Sequence, residues 1–232
     1  MAADSVPYGT PDAPRIAVRG EAHLEVDPEI ARIGVTVASR GKDRRTALDD
    51  LTRRNANVLD LLKSYGDAVE RLETGSFSVT PELKEHGRGE RVHAYHGRVH
   101  ITAELTDFTA LGELTTRVAD LDLTRVDGPW WALRHDSPAY RQARQQAVRE
   151  AVQRAREYAE ALGTELAALV ELADIGAEDP EPRFVGKASR ARSMAFDAQS
   201  AETGAAPLDL EPQRQHVHAH VNARFTMAPP QL

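Results

Sequence analysis

Near the end of the chain three histidines recur at alternate positions, His216, His218 and His220. Imidazole nitrogen is a ligand for zinc, nickel and copper, so residue type and spacing together point to metal chemistry. On an extended strand, residues i, i+2 and i+4 leave the same face, with neighbours about 7 Å apart. Two of the three could then bind one ion with a third ligand from an adjacent strand. His96 and His100, outward-facing on another predicted strand, are candidates to help. No carboxylate pattern accompanies the run to orient the rings from behind. The competing reading is a polar outer face that is rich in histidine. His216, His218 and His220 are therefore carried forward as candidate metal ligands, with no resident cofactor expected.

Arg134-His135-Asp136-Ser137 holds the three residue types of a serine hydrolase triad. Their adjacency argues against that role, because triad members usually meet in space from separate segments. Ser137, followed by Pro138, reads instead as the cap of a helix. No G-x-S-x-G elbow, Walker A loop, dinucleotide fingerprint, H-E-x-x-H pair or EF-hand loop occurs. The lack of cysteine removes thiol nucleophiles, thiolate metal sites and disulfides together. The expectation is a protein that is not an enzyme.

Charge narrows the partners. The formal balance of −7 argues against a nucleic-acid binder, which needs a clustered positive face. A predicted helix over 140–162 carries Arg141, Arg144, Arg149, Arg154 and Arg156, but Glu150, Glu157 and Glu160 are interspersed. That mixture fits a solvated face with pairs four residues apart. The stretch from Arg183 to Phe196 (RFVGKASRARSMAF) is basic with apolar punctuation. Arg183, Phe184, Lys187, Arg190, Arg192 and Phe196 are candidates for docking a protein partner, ordering as they bind.

Residues 1–14 show no basic start and no apolar run, so they do not read as an export signal. Nowhere do about 18 consecutive apolar residues occur, as a membrane helix requires. The expectation is a cytoplasmic protein with no membrane contact.

The elements that must position these residues follow from periodicity. With 232 residues, 41% of them hydrophobic, the chain can bury a substantial core. Ile16, Val18, Ala22, Leu24 and Val26 alternate with Arg15, Arg19, Glu21, His23 and Glu25, predicting a half-buried strand. Asp27-Pro28-Glu29 predicts a turn, with a second strand returning through Ala31, Ile33, Val35 and Val37 as a hairpin. A helix follows over 41–65, capped by Asp43 and stopped at Gly66, with Leu48, Leu51, Val58, Leu59 and Leu62 on one face. Asn55 on that face reads as an amide bonded to neighbouring backbone.

A third strand runs from Val69 to Thr80, closed by Pro81, with a bulge expected at Gly75. Residues 82–91 predict a polar connection to a fourth strand, on which Tyr95, Val99, Ile101, Ala103 and Leu105 face inward. Asp107 caps a short helix presenting Phe108, Leu111, Leu114 and Val118. A fifth strand over 122–133 is interrupted at Gly128-Pro129, and one of Trp130 and Trp131 is expected to point inward.

The longest helix runs from Pro138 to Leu162 and stops at Gly163. Its alanines recur at 139, 143, 147, 151, 155 and 159, a ladder that drifts about 40° per step and so wraps the helix. The apolar face is expected at Tyr140, Ala147, Val148, Ala151, Val152, Ala155, Tyr158, Ala159 and Leu162. A strand over 166–175, a long loop over 176–213 and a clearly alternating final strand complete the chain. The fold class is α+β, a mainly antiparallel sheet (β-β-α-β-β-α-β-α-β-β) with helices packed on one face. The expected organisation is a flexible segment 1–14, one domain over 15–228 containing the flexible loop 176–213, and a tail 229–232.

Several blocks, in order, carry a resemblance. They are V-x-G-x-A-x-L-x-V-x-P at Val18–Pro28, a helix with Ala47, Asn55 and Leu62, and E-T-G-S-F-S-V-T-P at Glu73–Pro81. The Tyr95 strand, A-V-x-x-A-x-x-Y-A-x-x-L-G at Ala151–Gly163 and the final strand follow. Together they resemble the SIMPL-domain family, a domain of unknown function that includes kinase-associated and periplasmic immunogenic proteins. The resemblance implies an α+β protein that forms homo-oligomers, sometimes rings. It implies envelope or oxidative-stress roles among bacterial members, which are often periplasmic, and it brings no catalytic residues. This chain departs from them in showing no export signal. The resulting expectation is a non-enzymatic homo-oligomeric scaffold or interaction protein, linked to stress, that binds copies of itself. The alternative is a metal- or small-ligand-binding protein using the outward histidines.

Overall fold

The computed structural model describes residues 9–84, 91–174, 206 and 208–231. In chain order the elements are β1 (Arg15–Val26), β2 (Ile30–Gly41), α1 (Arg44–Lys63), β3 (Val69–Lys84), β4 (Arg91–Leu105), α2 (Phe108–Ala119), β5 (Thr124–Ala132), α3 (Pro138–Ala161), β6 (Leu166–Asp174) and β7 (Gln215–Met227). The order is the α+β succession that periodicity predicts, with a 3-10 turn at Gly66–Ala68 added. The strands divide between two antiparallel sheets. Where one domain is expected over 15–228, the chain groups into two compact units. One holds β1, α3, β6 and β7; the other holds β2 to β5, α1, α2 and the run preceding β7.

In the four-stranded unit the order is β3-β4-β2-β5. Ile33, Val35 and Val37 of β2 lie beside Ala103, Ile101 and Val99 of β4. All six are buried, with Leu51, Val58 and Leu62 of α1 and Leu111, Leu114 and Val118 of α2 packed on them. Asp43 caps α1 by accepting from the Thr46 amide at 2.9 Å, and Asp107 caps α2 by accepting from Thr109 and Ala110. Leu48 departs from expectation and is exposed; the buried stripe is Ala47, Leu51, Val58 and Leu62. Ala47 stands one residue, about 100°, before Leu48 and takes the inner position. Asn55 also departs, because its Oδ1 is buried without a hydrogen-bond partner among the described residues.

β3 does not end at Pro81 but continues to Lys84. It is an edge strand, where a missing N–H leaves no ladder bond broken. The bulge expected near Gly75 is present, since Thr74 opposes Ile101 while Phe77 opposes Val99. A second irregularity, between Arg32 and Gly34 on β2, faces the stretch of β5 containing Gly128, whose φ is +112°. Trp131 meets Phe108 edge-on at 4.8 Å over the core, and Trp130 is exposed. One tryptophan in, one out, as alternation predicts.

Most of the expected loop 176–213, including Arg183, Phe184, Lys187, Arg190, Arg192 and Phe196, lies outside the described residues. Its described end is anchored. The Leu208 amide donates to Thr116 Oγ1 at 3.0 Å, and Leu210 packs against the core. A Cβ on Gly112 of α2 would stand 2.3 Å from the Leu208 carbonyl oxygen, so the close approach requires glycine.

In the three-stranded unit the order is β1-β7-β6. The Met227 amide donates to the Pro14 carbonyl at 3.0 Å, while His23 contacts His218. Numbers therefore rise on β1 as they fall on β7, and the pair is antiparallel. The expected β1–β2 hairpin does not form. A tight hairpin needs positive φ at the centre of its turn, and Pro28 locks φ at a negative value there. The Glu29 amide instead donates to the Ala132 carbonyl beyond β5.

α3 covers β1, and it does so with the alanine ladder itself. Ala139, Ala143, Ala147, Ala151, Ala155 and Ala159 are all buried, whereas Tyr140, Tyr158 and Leu162 are exposed. The expected apolar face is thus corrected at Tyr140, Tyr158 and Leu162, while Val148 and Val152 pack against the buried cluster as expected. A row of every fourth residue is a ridge inclined about 26° to the helix axis, and a twisted strand can run along it. Methyl side chains let the backbones come close. Ser137 caps this helix, accepting from the Ala139 amide at 3.3 Å.

Candidate functional site

The face of β1 and β7 turned away from α3 carries the candidate histidines. Val217, Val221, Ala223, Phe225 and Met227 are buried, so the alternate residues His216 and His218 stand outward. On β1, burial of Val18, Gly20 and Ala22 turns Arg19, Glu21 and His23 outward by the same rule. Strand pairing then brings His23 to His218. Their Nδ1 atoms are 3.0 Å apart, a hydrogen bond in which one ring's Nδ1–H donates to the other's Nδ1. The ring of His216 stacks on His23 with centroids 5.2 Å apart and planes 23° from parallel.

His220 is held differently. Its Nδ1 lies 3.7 Å from Glu21 Oε1 and has no hydrogen-bond partner among the described residues. His96 and His100 stand on β4 in the other unit's sheet, engaged with Glu82 and Thr36. Among the described residues no three His, Asp or Glu side chains form a group that could hold a metal. What the fold assembles is a pair, His23 with His218, plus a stacked neighbour. His23 alternates outward in the sequence, but its nearness to His218 needs the β1–β7 pairing, which no local pattern shows.

β1 is fixed in place by α3. The Glu21 amide donates to Glu150 Oε2 at 2.9 Å, and Arg154 Nη1 donates to the Arg19 carbonyl at 2.8 Å. Arg19 and Glu21 pair at 3.0 Å across the outer face, and Arg224 pairs with Glu171. Two of the hydrolase-like quartet have structural roles: Ser137 caps α3, and the Arg134 amide donates to Glu29 while its guanidinium pairs with Glu70.

The outer face of the four-stranded sheet is a lattice of ion pairs, among them Arg32–Glu104 and Arg125–Asp127. Glu82 accepts from His96 Nε2 at 2.7 Å and from Arg40 at 2.9 Å. The His96 hydrogen bond first, then the Arg40 charge, hold its carboxyl below its ordinary value of 4.5. Asp50 is likewise held low by hydrogen bonds from Arg54 and Arg53. A carboxylate depressed in the folded state gives stability that is complete above its unfolded value and lost as pH falls through the folded one. Denaturant midpoints of the wild type should therefore fall as pH drops below 4.5. Glu82→Gln, uncharged throughout, should lose less over that window. Equal slopes in the two proteins would remove Glu82 from the account.

The chain matches a family model described as SIMPL, protein of unknown function (DUF541), over residues 16–225. It is 25% identical over 168 residues to the 26 kDa periplasmic immunogenic protein of Brucella melitensis, and equally so to that of Brucella abortus. Each match covers 69% of this chain and 66% of the relative's length. The uncharacterized protein YggE of Edwardsiella ictaluri is 22% identical over 230 residues, covering 98% of this chain and 93% of that one. The cytoplasmic placement expected above is corrected by these relatives, two of which are named as periplasmic. The lack of an apolar run in one stretch does not fix a compartment, and a chain without cysteine is at home in either redox setting.

Proposed function

The chain belongs to the SIMPL family, and from that premise we propose that it is a non-enzymatic, homo-oligomeric scaffold or interaction protein of the bacterial periplasm. The observation that carries the reading is the edge strand β6. Its sequence LAALVELAD has no proline, and Leu169, Val170 and Leu172 are 55%, 40% and 46% exposed. Among the described residues its one strand neighbour is β7. A long apolar edge with open backbone groups is a template for pairing with another chain. The same strand from a second copy, running antiparallel, satisfies both edges at once and closes with two-fold symmetry.

The other edges are blunted, β1 because its Glu21 amide and Arg19 carbonyl are taken by Glu150 and Arg154 of α3. β3 carries Pro81 and a bulge, and β5 carries Pro129 beside Gly128. The non-enzymatic part draws support from where the perturbed groups sit: Asp43 at a helix cap, Asp50 and Glu82 in surface ion pairs, and Tyr65 and Arg117 bonded to each other beside Glu113. Relatives named as periplasmic support the compartment, and a stress-related role there is part of the proposal.

Native mass measurement on untagged protein tests the assembly. At micromolar concentration the wild type is expected to contain more than one subunit. Leu169→Lys with Leu172→Lys puts charge on the edge and is expected to reduce the subunit number. A wild type that is strictly monomeric overturns the proposal, as does an oligomer that the two lysines leave intact at the β6 edge.

A further inference from the structure

We propose that His23 and His218 form a chelating site for a divalent transition-metal ion of the copper, nickel or zinc class on the outer face of β1 and β7. The first support is distance. Metal–nitrogen bonds of about 2.0–2.1 Å, set between a right angle and a tetrahedral one, hold their two nitrogens about 2.8–3.4 Å apart. The Nδ1 atoms of His23 and His218 are 3.0 Å apart, inside that span. A hydrogen bond has the same length, so one proton now sits where an ion would. Binding replaces it: the donor ring changes tautomer, its proton passing through solvent from Nδ1 to Nε2, and both rings then present neutral Nδ1 lone pairs to the metal.

The second support is preorganisation. The two rings come from adjacent, hydrogen-bonded strands, so their backbone positions are set by the sheet and not by a loop. The stacked ring of His216 limits rotation of His23, a positioning role. The third is access. His23, His216 and His218 are all exposed, so water can complete the coordination sphere. Carboxylates share the face, with Glu21 held by Arg19 and lying near His220. Imidazole is a ligand suited to zinc, copper and nickel, and among divalent ions copper binds such sites most tightly.

This set differs from the alternating run alone. His218 is common to both, His23 is added, and His220 is left out because it turns to Glu21.

Untagged full-length protein titrated calorimetrically with copper(II), nickel(II) and zinc(II) tests the site, with paramagnetic resonance of the copper form counting nitrogen ligands. Loss of an outer-shell partner alone costs about 10–100-fold in metal affinity, so loss of a ligand should cost at least about tenfold. His23→Ala and His218→Ala are each expected to reach that loss, and the double variant to add little to either. His220→Ala is expected to leave affinity unchanged, and His216→Ala to weaken it modestly. The wild-type copper spectrum should show two protein nitrogens, falling to one in either single variant. All four side chains point to the open face, and matching circular dichroism will confirm that the variants fold. No binding by the wild type overturns the proposal. So does binding that survives His23→Ala with His218→Ala, or that is lost in His220→Ala alone.

Discussion

Replacing Gly20 with alanine is expected to destabilise the three-stranded unit by about 3 kcal/mol or more, at the upper end of what overpacking costs. Gly20 needs no unusual backbone angle; what it supplies is the missing side chain. A Cβ there would stand 2.1 Å from the Ala147 carbonyl oxygen and 2.7 Å from the Ala151 Cβ and amide nitrogen. Two of these atoms are backbone, so no change of rotamer relieves the clash. The helix must move away from the strand, and the methyl contacts of the whole alanine ladder loosen with it. Hydrogen exchange of β1 and α3 amides, with denaturant unfolding followed by circular dichroism, reads the change. Ala151→Gly in the same chain should not rescue it, because the Ala147 oxygen remains. A Gly20→Ala protein within about 0.5 kcal/mol of wild type would show that α3 does not approach β1 as described.

That close approach marks the boundary of what the amino-acid pattern reveals. Alternation in β7 shows which side chains hide, and Val217, Val221 and Phe225 are buried as it predicts. Helix caps at Asp43, Asp107 and Ser137 are equally readable, because each is a local bond within three residues. Pairing is another matter. A period of two states a face and not a neighbour, so β1 reads as the partner of β2 although it lies beside β7. The His23–His218 contact inherits that ambiguity; each histidine is legible alone and their meeting is not.

The alanine ladder fails for a different reason. A helical wheel assumes a flat, parallel partner, on which six residues drifting 40° apiece cannot all be buried. A strand crossing along the ridge buries them all, and that geometry appears only when the partner is known. Gly112 carries the same lesson, since its requirement comes from the Leu208 carbonyl, distant along the chain.

The second large effect is expected in the four-stranded unit, where Ile101→Ala should cost about 2–5 kcal/mol. Ile101 lies at the middle of β4, between Val35 on β2 and Thr74 on β3, and is 0% exposed. Its side chain is on the face that α1 and α2 cover, where Leu51, Leu111 and Leu114 are also sealed from water. Truncation forfeits burial of three carbons and leaves a cavity that two antiparallel neighbours prevent from collapsing. Ile101→Val, which removes one methylene, should cost about 0.5–1.5 kcal/mol. Trp130 and Trp131 both lie on β5 of the same sheet, so tryptophan fluorescence follows the unfolding of this unit. The urea midpoint should fall in the order wild type, valine, alanine, with the slope unchanged, since the surface exposed on unfolding is nearly the same. If valine and alanine shift the midpoint equally, the loss is not graded by buried volume. The packing of β4 beneath the two helices would then not be the source of the unit's stability.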